Sequence, residues 1–283
     1  MSIVVTAATG HLGSLVIDEL LQRVPAGQVV AVARNAEKAA PIADRGVEVR
    51  IADYNDPDAL GKAIGAGDTL LLISGIDPNR LDQHKAIIAI AKDAGVARIA
   101  YTSVLGGPDA DFDLAADHIA TEQAILDSGL PYTFLRNGWY SEVYTDQIAV
   151  QLANGVVGAA GDGRIASASR RDYAAAAAVV LTGEGHEKKA YELNGDTAWT
   201  QAEYAAELSK QSGQDVAYNK VSPEDLTQVL TAAGIPAPFV PVLVDVDKAI
   251  ERGLLAGRGS DLARLIGRPT TPIAETIANA LKG

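Results

Sequence analysis

One stretch constrains this chain more than any other: Val4-Val5-Thr6-Ala7-Ala8-Thr9-Gly10-His11-Leu12-Gly13-Ser14. A short apolar run, Ile3 to Val5, enters it, and Leu12, Val16, Leu20 and Val24 then recur four residues apart with Leu15 beside them. That spacing gives a strand, a glycine-bearing turn and a helix. Such a turn sets backbone N–H groups at the positively polarised start of a helix, where dinucleotide-binding folds hold a pyrophosphate. Gly10 lets a ligand approach the backbone, and Gly13 lets the helix lie close to the strand. The pattern is incomplete, because the first position of G-x-x-G-x-x-G is Ala7. A strand-to-helix turn without a ligand is the alternative reading.

The chain behind this turn is long enough, at 283 residues, for one large α/β domain or a main domain with a small appendage. With 36 acidic and 24 basic side chains the net charge is -12, so the average field repels nucleic acid and any phosphate site must be local. There is no cysteine, which excludes disulfides, thiolate metal sites and a cysteine nucleophile. The four histidines, His11, His84, His118 and His186, show no paired ligand spacing, and no metal is expected. The chain starts on a strand, without the basic and apolar regions of a signal peptide, and has no 18-residue apolar run. A soluble cytoplasmic protein is expected.

After the first helix, the β-rich run Gln28 to Ala33 ends at Arg34-Asn35. The residue closing the second strand of a dinucleotide fold meets the adenosine ribose, where an Arg accommodates the 2'-phosphate of NADP. Arg34 lies 24 residues after Gly10, and Lys38 follows one helical turn later. Both can also be solvated charges. A third strand, Val47 to Ile51, leads to Asp53-Tyr54, placed either to meet adenine or, for Asp53, to cap a turn. A short helix from about Pro57 to Ile64 and a fourth strand, Asp68 to Ile73, ending at Ser74-Gly75, follow. A helix from Leu81 to Ala94, a fifth strand from Ala97 to Ser103, a helix from Ala115 to Leu126 and a sixth strand from Tyr132 to Leu135 complete the alternation.

This order implies right-handed βαβ units and a doubly wound parallel sheet of Rossmann type. Ligands lie outside the carboxyl ends of such strands, so Ser74-Gly75, Tyr101-Thr102-Ser103 and Asn137 to Glu142 are expected to converge on the nicotinamide side. The boundary is expected at 153, with residues 154–283 forming a smaller, mainly helical, substrate-side domain and 154–195 contributing to both. In that part Asp172 reads as the N-cap of a helix from Tyr173 to Leu181, and Arg170 as a residue that can face the cofactor. Thr200 to Glu203 is a capping box, with Trp199 and Tyr204 as a hydrophobic staple. Further helices are expected near Ser222, from Asp245 to Arg252, Asp261 to Ile266 and Ile273 to Leu281, and substrate is expected between the two parts.

The Tyr-x-x-x-Lys pair that exchanges a proton with an alkoxide is absent; His118 and Glu122 occupy that spacing in the relevant helix. His118 and Ser103 are the remaining groups for proton transfer or carbonyl polarisation, and each also reads as structural. Without a relay, the chemistry suits an acceptor whose reduced form is a phenolate, with a pKa of about 10. Trp139, Tyr140 and Phe112 are candidates to line a slot for a flat acceptor, or are packing residues.

Residues 6–13, Ala33-Arg34-Asn35, Ala52-Asp53-Tyr54, Leu72-Ile73-Ser74, Ala100-Tyr101-Thr102-Ser103, Leu135 to Glu142, Gly158 to Gly163 and Leu265 to Thr271 resemble the NmrA-like atypical short-chain dehydrogenases/reductases. The likeness covers nearly the whole chain and lies nearest the bacterial quinone-reducing members, with the triphenylmethane dye reductases next. It implies NADP(H) without flavin and two-electron quinone reduction. It places Ala7, Ala8, Thr9, Gly10, His11, Leu12 and Gly13 at the pyrophosphate and Arg34 at the 2'-phosphate. Ser74, Gly75, Asn137, Gly138, Trp139, Tyr140, Ser141 and Glu142 go to the nicotinamide half, with Arg170 near it. A redox sensor without turnover and a dye or xenobiotic reductase are the alternatives. Ala7 departs from the family's glycine, at a cost only where φ is positive. Oligomeric state is left open.

Overall fold

The computed structural model describes residues 2–259 and 261–282. The chain alternates β1 (Ile3–Val5), α1 (His11–Leu20), β2 (Val29–Ala33), α2 (Ala36–Ala43), β3 (Glu48–Ile51), α3 (Pro57–Ala63), β4 (Thr69–Leu72), α4 (Arg80–Ala94), β5 (Arg98–Val104), α5 (Ala115–Ser128) and β6 (Tyr132–Asn137). Next come α6 (Glu142–Thr145), α7 (Ile148–Asn154), β7 (Val156–Gly158), β8 (Arg164–Ile165), α8 (Arg170–Thr182) and β9 (Lys189–Leu193). The chain ends with β10 (Trp199–Thr200), α9 (Gln201–Ser212), β11 (Tyr218–Lys220), α10 (Pro223–Ala232), α11 (Phe239–Glu251), α12 (Asp261–Ile266) and α13 (Ile273–Ala280).

Two compact units divide the chain, and not at 153. The first holds residues 1–107, 117–137 and 170–191; the second holds 108–116, 138–169 and 192–283. The chain therefore passes between them five times, which a composition change along the sequence cannot reveal.

In the first unit the strand order is β3-β2-β1-β4-β5-β6-β9, with parallel pairing across β1 to β6. The order reverses between β1 and β4, in register from Ile3 opposite Thr69 to Val5 opposite Leu71. That is the switch point of a doubly wound sheet, as the alternation implied. Strand side chains alternate between faces. Val4, Val30, Val32, Leu70, Leu72, Ile99, Tyr101 and Phe134 face one core with Leu60, Ile87, Ala91 and Ile125 of α3, α4 and α5. On the other face α1 lies along α8, whose buried Ala174 to Ala178 permit a close approach. Arg171 of α8 lies 3.6 Å from Glu19 of α1. The helix starts at Arg170, so Asp172 is a fully buried first-turn residue and not the N-cap.

The second unit is mainly helical, with two small sheets that no sequence period announced: β7 with β11, parallel, and β8 with β10, antiparallel. The Thr200–Glu203 capping box is present, and the rings of Trp199 and Tyr204 lie 5.5 Å apart. Trp199 is thus a core residue, beside Ile165, Leu208 and Ile250. Helix α11 begins at Phe239, six residues before the expected Asp245. It carries the buried Asp247, whose Oδ2 accepts the Ala159 N–H at 2.7 Å while Oδ1 lies 3.4 Å from the Gln201 amide nitrogen.

Burial pushes the Asp247 carboxyl up to about 6 from an ordinary 3.8. The native state therefore holds its proton to a higher pH than the unfolded chain, and this group costs stability as pH rises from 3.8 through 6. Asp247→Asn keeps an acceptor for Ala159 and offers a donor to Gln201 Oε1, which has no hydrogen-bond partner among the described residues. We expect this variant to be more stable at pH 7.5 by roughly 1–3 kcal/mol, and so to unfold at higher temperature. Its advantage should fade at pH 4, as calorimetry at both pH values will show.

Candidate functional site

At the carboxyl end of β1, the Thr6 hydroxyl donates to the Leu71 carbonyl at 3.0 Å and accepts the Ile73 N–H at 3.0 Å. The Tyr54 hydroxyl lies 2.6 Å from Thr6 Oγ1 and 2.8 Å from the Ile73 carbonyl. Beyond this node the Ala8 N–H donates to Val32 O at 3.1 Å, and the Gly10 N–H to Ala7 O at 2.9 Å. Ala7 is held at φ +47°, and with Lys188 it makes the two non-glycine residues of positive φ among those described. A Cβ on Gly13 would strike the Ala7 carbonyl oxygen and come within 2.9 Å of Ala8 Cα, so only glycine lets α1 start this close to the loop.

Gly10 caps α1 with no side-chain hydrogen bond, and the first turn holds no acidic residue. The N–H groups of His11, Leu12 and Gly13 have no intrahelical acceptor by helix geometry, and no acceptor among the described residues. Together with the helix dipole they make a site for an anion. Gly10 and His11 are exposed, Ala7 and Thr9 half-buried. Ala8 and Leu12 turn their side chains inward, so only their backbone is offered.

Arg34 follows β2 and is largely exposed, with Nε 3.7 Å from Asp53 Oδ2. Asn35 caps α2 by accepting the Lys38 N–H at 2.9 Å, which leaves the exposed Lys38 side chain in the first turn beside Arg34 in sequence. Asp53 Oδ1 accepts the Asn55 N–H at 2.8 Å, the turn role allowed for it. Tyr54 is a correction. Its hydroxyl belongs to the Thr6 node and its pKa is raised by burial, so it is not offered to a base edge.

Ser74 and Gly75 follow β4. The Ser74 N–H donates to Thr102 Oγ1 at 2.8 Å, and the Gly75 N–H to His84 Nε2 at 3.2 Å. Because Gly75 donates, His84 carries its proton on Nδ1, which lies 3.0 Å from Thr121 Oγ1. Thr121 passes its own proton to Asp117 O at 2.7 Å. Burial first, and the nearby Arg80 guanidinium second, lower His84 to about 4.

His118 is a second correction. It is buried, its Nδ1 is 2.9 Å from the Tyr101 hydroxyl, and burial lowers it to about 3, so it is neutral and no proton donor. Glu122, in the place of the missing lysine, is clamped by Arg136 at 2.9 and 2.7 Å. Ser103 is buried on the Tyr101 side of the sheet, and its hydroxyl has no hydrogen-bond partner among the described residues. Asn137 closes β6, its carbonyl accepting the Leu105 N–H at 2.9 Å. Arg170 opens α8, half-buried.

In the second unit the Gly138 N–H donates to Leu193 O at 2.7 Å, and Tyr140 forms a parallel bridge with Ala168. Ser141 is fully buried against Ser167, Oγ to Oγ 2.8 Å, and Ser167 accepts the Trp199 indole N–H at 3.0 Å. The Ser141 hydroxyl is thus structural. Glu142 starts α6. Trp139 and Phe112 pack, partly buried, against the aromatic core of this unit. Sequence reasoning missed Thr6 and His84 as supports of the site, and Thr102, expected at the nicotinamide side, holds the Ser74 N–H. His84 left one signal, a polar residue in the buried stripe 84, 87, 88, 91 of α4.

Tucked at the point where a parallel sheet reverses, with a guanidinium one strand away, an uncapped helix start suits a ligand with a pyrophosphate and a second phosphate nearby. The chain is therefore a dinucleotide-binding protein of the Rossmann class. It belongs to the NAD(P)H-binding family, whose model matches residues 7–184, and the NmrA-like resemblance is borne out.

Quinone oxidoreductase 2 of Escherichia coli (strain K12) is 48% identical over 98% of either chain. The solved structure of an NADPH-dependent quinone oxidoreductase from Escherichia coli, complexed with NADPH, matches with a TM-score of 0.95 at 47% identity, covering 99% of each chain. Citrobacter sp. triphenylmethane reductase complexed with NADP(H) matches with a TM-score of 0.94 at 43% identity, over 99% of this chain and 100% of that one.

Two outcomes follow from the loop and from His118. Ala7→Gly relieves the positive φ and is expected to raise stability by about 0.5–1 kcal/mol, whereas Gly13→Ala should cost roughly 1–3 kcal/mol, both read from urea unfolding. Turnover between about pH 5.5 and 8 should show no limb belonging to His118; a limb near its ordinary pKa that His118→Asn removes would reassign it.

Proposed function

We propose that this protein reduces quinones by two electrons at the expense of NADPH, without flavin, in the cytoplasm. The observation that carries the reading is the 48% identity, over 98% of both chains, to Quinone oxidoreductase 2. The family match supports the nucleotide, and the 0.95 TM-score with an NADPH complex supports its phosphate form. No described helix is long and apolar enough to cross a membrane. The net charge of -12 opposes binding of nucleic acid, and a small planar molecule is the partner.

When bound, the dinucleotide supplies a hydride. In this reading the N–H groups of His11, Leu12 and Gly13 hold the pyrophosphate, while Arg34 and Lys38 meet the 2'-phosphate in place of Asp53. A quinone that takes up a hydride becomes a hydroquinone anion whose protonation, at a pKa of about 10, needs only water. That accords with a neutral His118 and a Glu122 locked on Arg136, neither of which delivers a proton.

The test is NADPH oxidation with benzoquinones and naphthoquinones and no added flavin, with a triphenylmethane dye in the same panel. Arg34→Ala should raise the KM for NADPH about tenfold while leaving that for NADH within about twofold, since the loss is one charge-assisted phosphate contact. No quinone turnover across the panel sinks the reading; turnover of the dye alone moves it to dye reduction, as the Citrobacter neighbour suggests.

A further inference from the structure

Where β4 ends at Leu72, the chain loses its strand partners, and side chains take over its backbone groups one by one. The Ile73 N–H goes to Thr6 Oγ1, and the Ile73 carbonyl accepts from Tyr54. The Ser74 N–H goes to Thr102 Oγ1, and the Gly75 N–H to His84 Nε2. The Ser74 and Gly75 carbonyls are left out: neither has a hydrogen-bond donor among the described residues, and the Ser74 carbonyl is the one that shares its peptide unit with the held Gly75 N–H. Ser74 is half-buried, and a carbonyl that the fold leaves without a donor takes one from solvent or from a ligand.

Its direction is fixed by its neighbour. No peptide bond here is cis, and in a trans peptide the C=O and the following N–H point opposite ways. With the Gly75 N–H held by His84, the Ser74 carbonyl points away from α4, toward the rim. The sheet order says what lies there. β2, which Arg34 follows, flanks β1 on one side, and β4 flanks it on the other, strands being about 4.8 Å apart. A pyrophosphate on α1 with its phosphorylated ribose toward Arg34 therefore sends its other ribose toward Ser74.

We propose that His84 is a positioning residue, holding the Gly75 N–H so that the Ser74 carbonyl accepts a hydrogen bond from a hydroxyl of the nicotinamide-side ribose. This rests on the reading that the first unit binds NADP(H). A ribose hydroxyl is a donor that this acceptor can take. The hold is specific in its chemistry. His84 must accept at Nε2 and donate at Nδ1, and Thr121, whose proton is committed to Asp117 O, is oriented to receive. Its ring is fully buried and meets the Tyr101 ring edge-on at 5.6 Å, so it has no freedom to release Gly75 without repacking.

The test uses the full-length protein and two titrants: NADPH, and adenosine 2'-phosphate 5'-diphosphate, which lacks the nicotinamide and its ribose. His84→Leu is expected to weaken NADPH about tenfold, the loss of one oriented hydrogen bond, and to leave the adenosine probe within about twofold. His84→Gln, able to accept from Gly75 and donate to Thr121, should restore NADPH binding to within about threefold. Thr121→Val, which removes only the group that orients the ring, should fall between the two and serves if His84→Leu does not fold. Equal weakening of both probes, or no weakening of NADPH in a folded variant, overturns the proposal. If the wild-type protein binds the adenosine probe but the split is absent, this inference alone fails. If it binds neither probe, the NADP(H) reading fails with it.

Discussion

The Thr6 hydroxyl is the point on which the first unit depends. It donates to Leu71, accepts from Ile73 and lies 2.6 Å from the Tyr54 hydroxyl oxygen, so the ends of β1 and β4 and the turn after β3 meet at one oxygen. A buried hydrogen bond adds about 1 kcal/mol net, but leaving its partners unsatisfied costs about 1–3 kcal/mol each. Valine, of equal volume, would therefore orphan the Ile73 N–H and loosen the strand ends where the sheet reverses. The glycine-bearing turn begins one residue later. Its geometry is thus set by a node that touches no ligand itself.

The same logic governs the rim beyond β4. Polar side chains there are turned inward and spent on backbone groups: Thr102 on Ser74, His84 on Gly75, Tyr54 on Ile73. Burying two histidines makes them neutral, one at about 4 and the other at about 3. A site built this way is rigid and poor in mobile protons. Rigidity favours a hydride transfer that needs two flat partners held in register, and the scarcity of protons disfavours one that ends on an alkoxide. The substitution of the Tyr-x-x-x-Lys spacing by His118 and Glu122 is then a change of reaction class, since both residues are bound to neighbours, Tyr101 and Arg136.

Strand runs, glycines and the position of Arg34 were legible in sequence because each is a local signal: an apolar run for β4, a glycine where α1 meets its turn, a basic residue closing β2. What escaped was long-range. Thr6 and Ile73 are 67 positions apart, Ser74 and Thr102 28, and no spacing rule joins them. Tyr54 and Ser141 looked like ligand contacts because polar residues at strand ends often are; their hydroxyls instead serve buried partners. Asp172 looked like a cap by a local rule that the packing of α8 on α1 overrode. Short strands such as β8 and β10, two residues each, have no period to detect. Helix α11 did announce itself, through the prolines at 236 and 238 just ahead of Phe239, a start signal passed over in favour of Asp245.

Ala7 sharpens the opening turn. A methyl group at φ +47° costs about 1 kcal/mol relative to glycine, so neighbours must impose the conformation. They do: the Ala8 N–H is tied to Val32, the Ala7 carbonyl accepts from Gly10, and Gly13 presses α1 against that carbonyl. A glycine would relax more easily into other conformations, whereas alanine in the same cage has fewer to visit. The cost of ordering the loop therefore falls on folding. A chain that accepts that strain has this turn formed in advance, at the expense of overall stability.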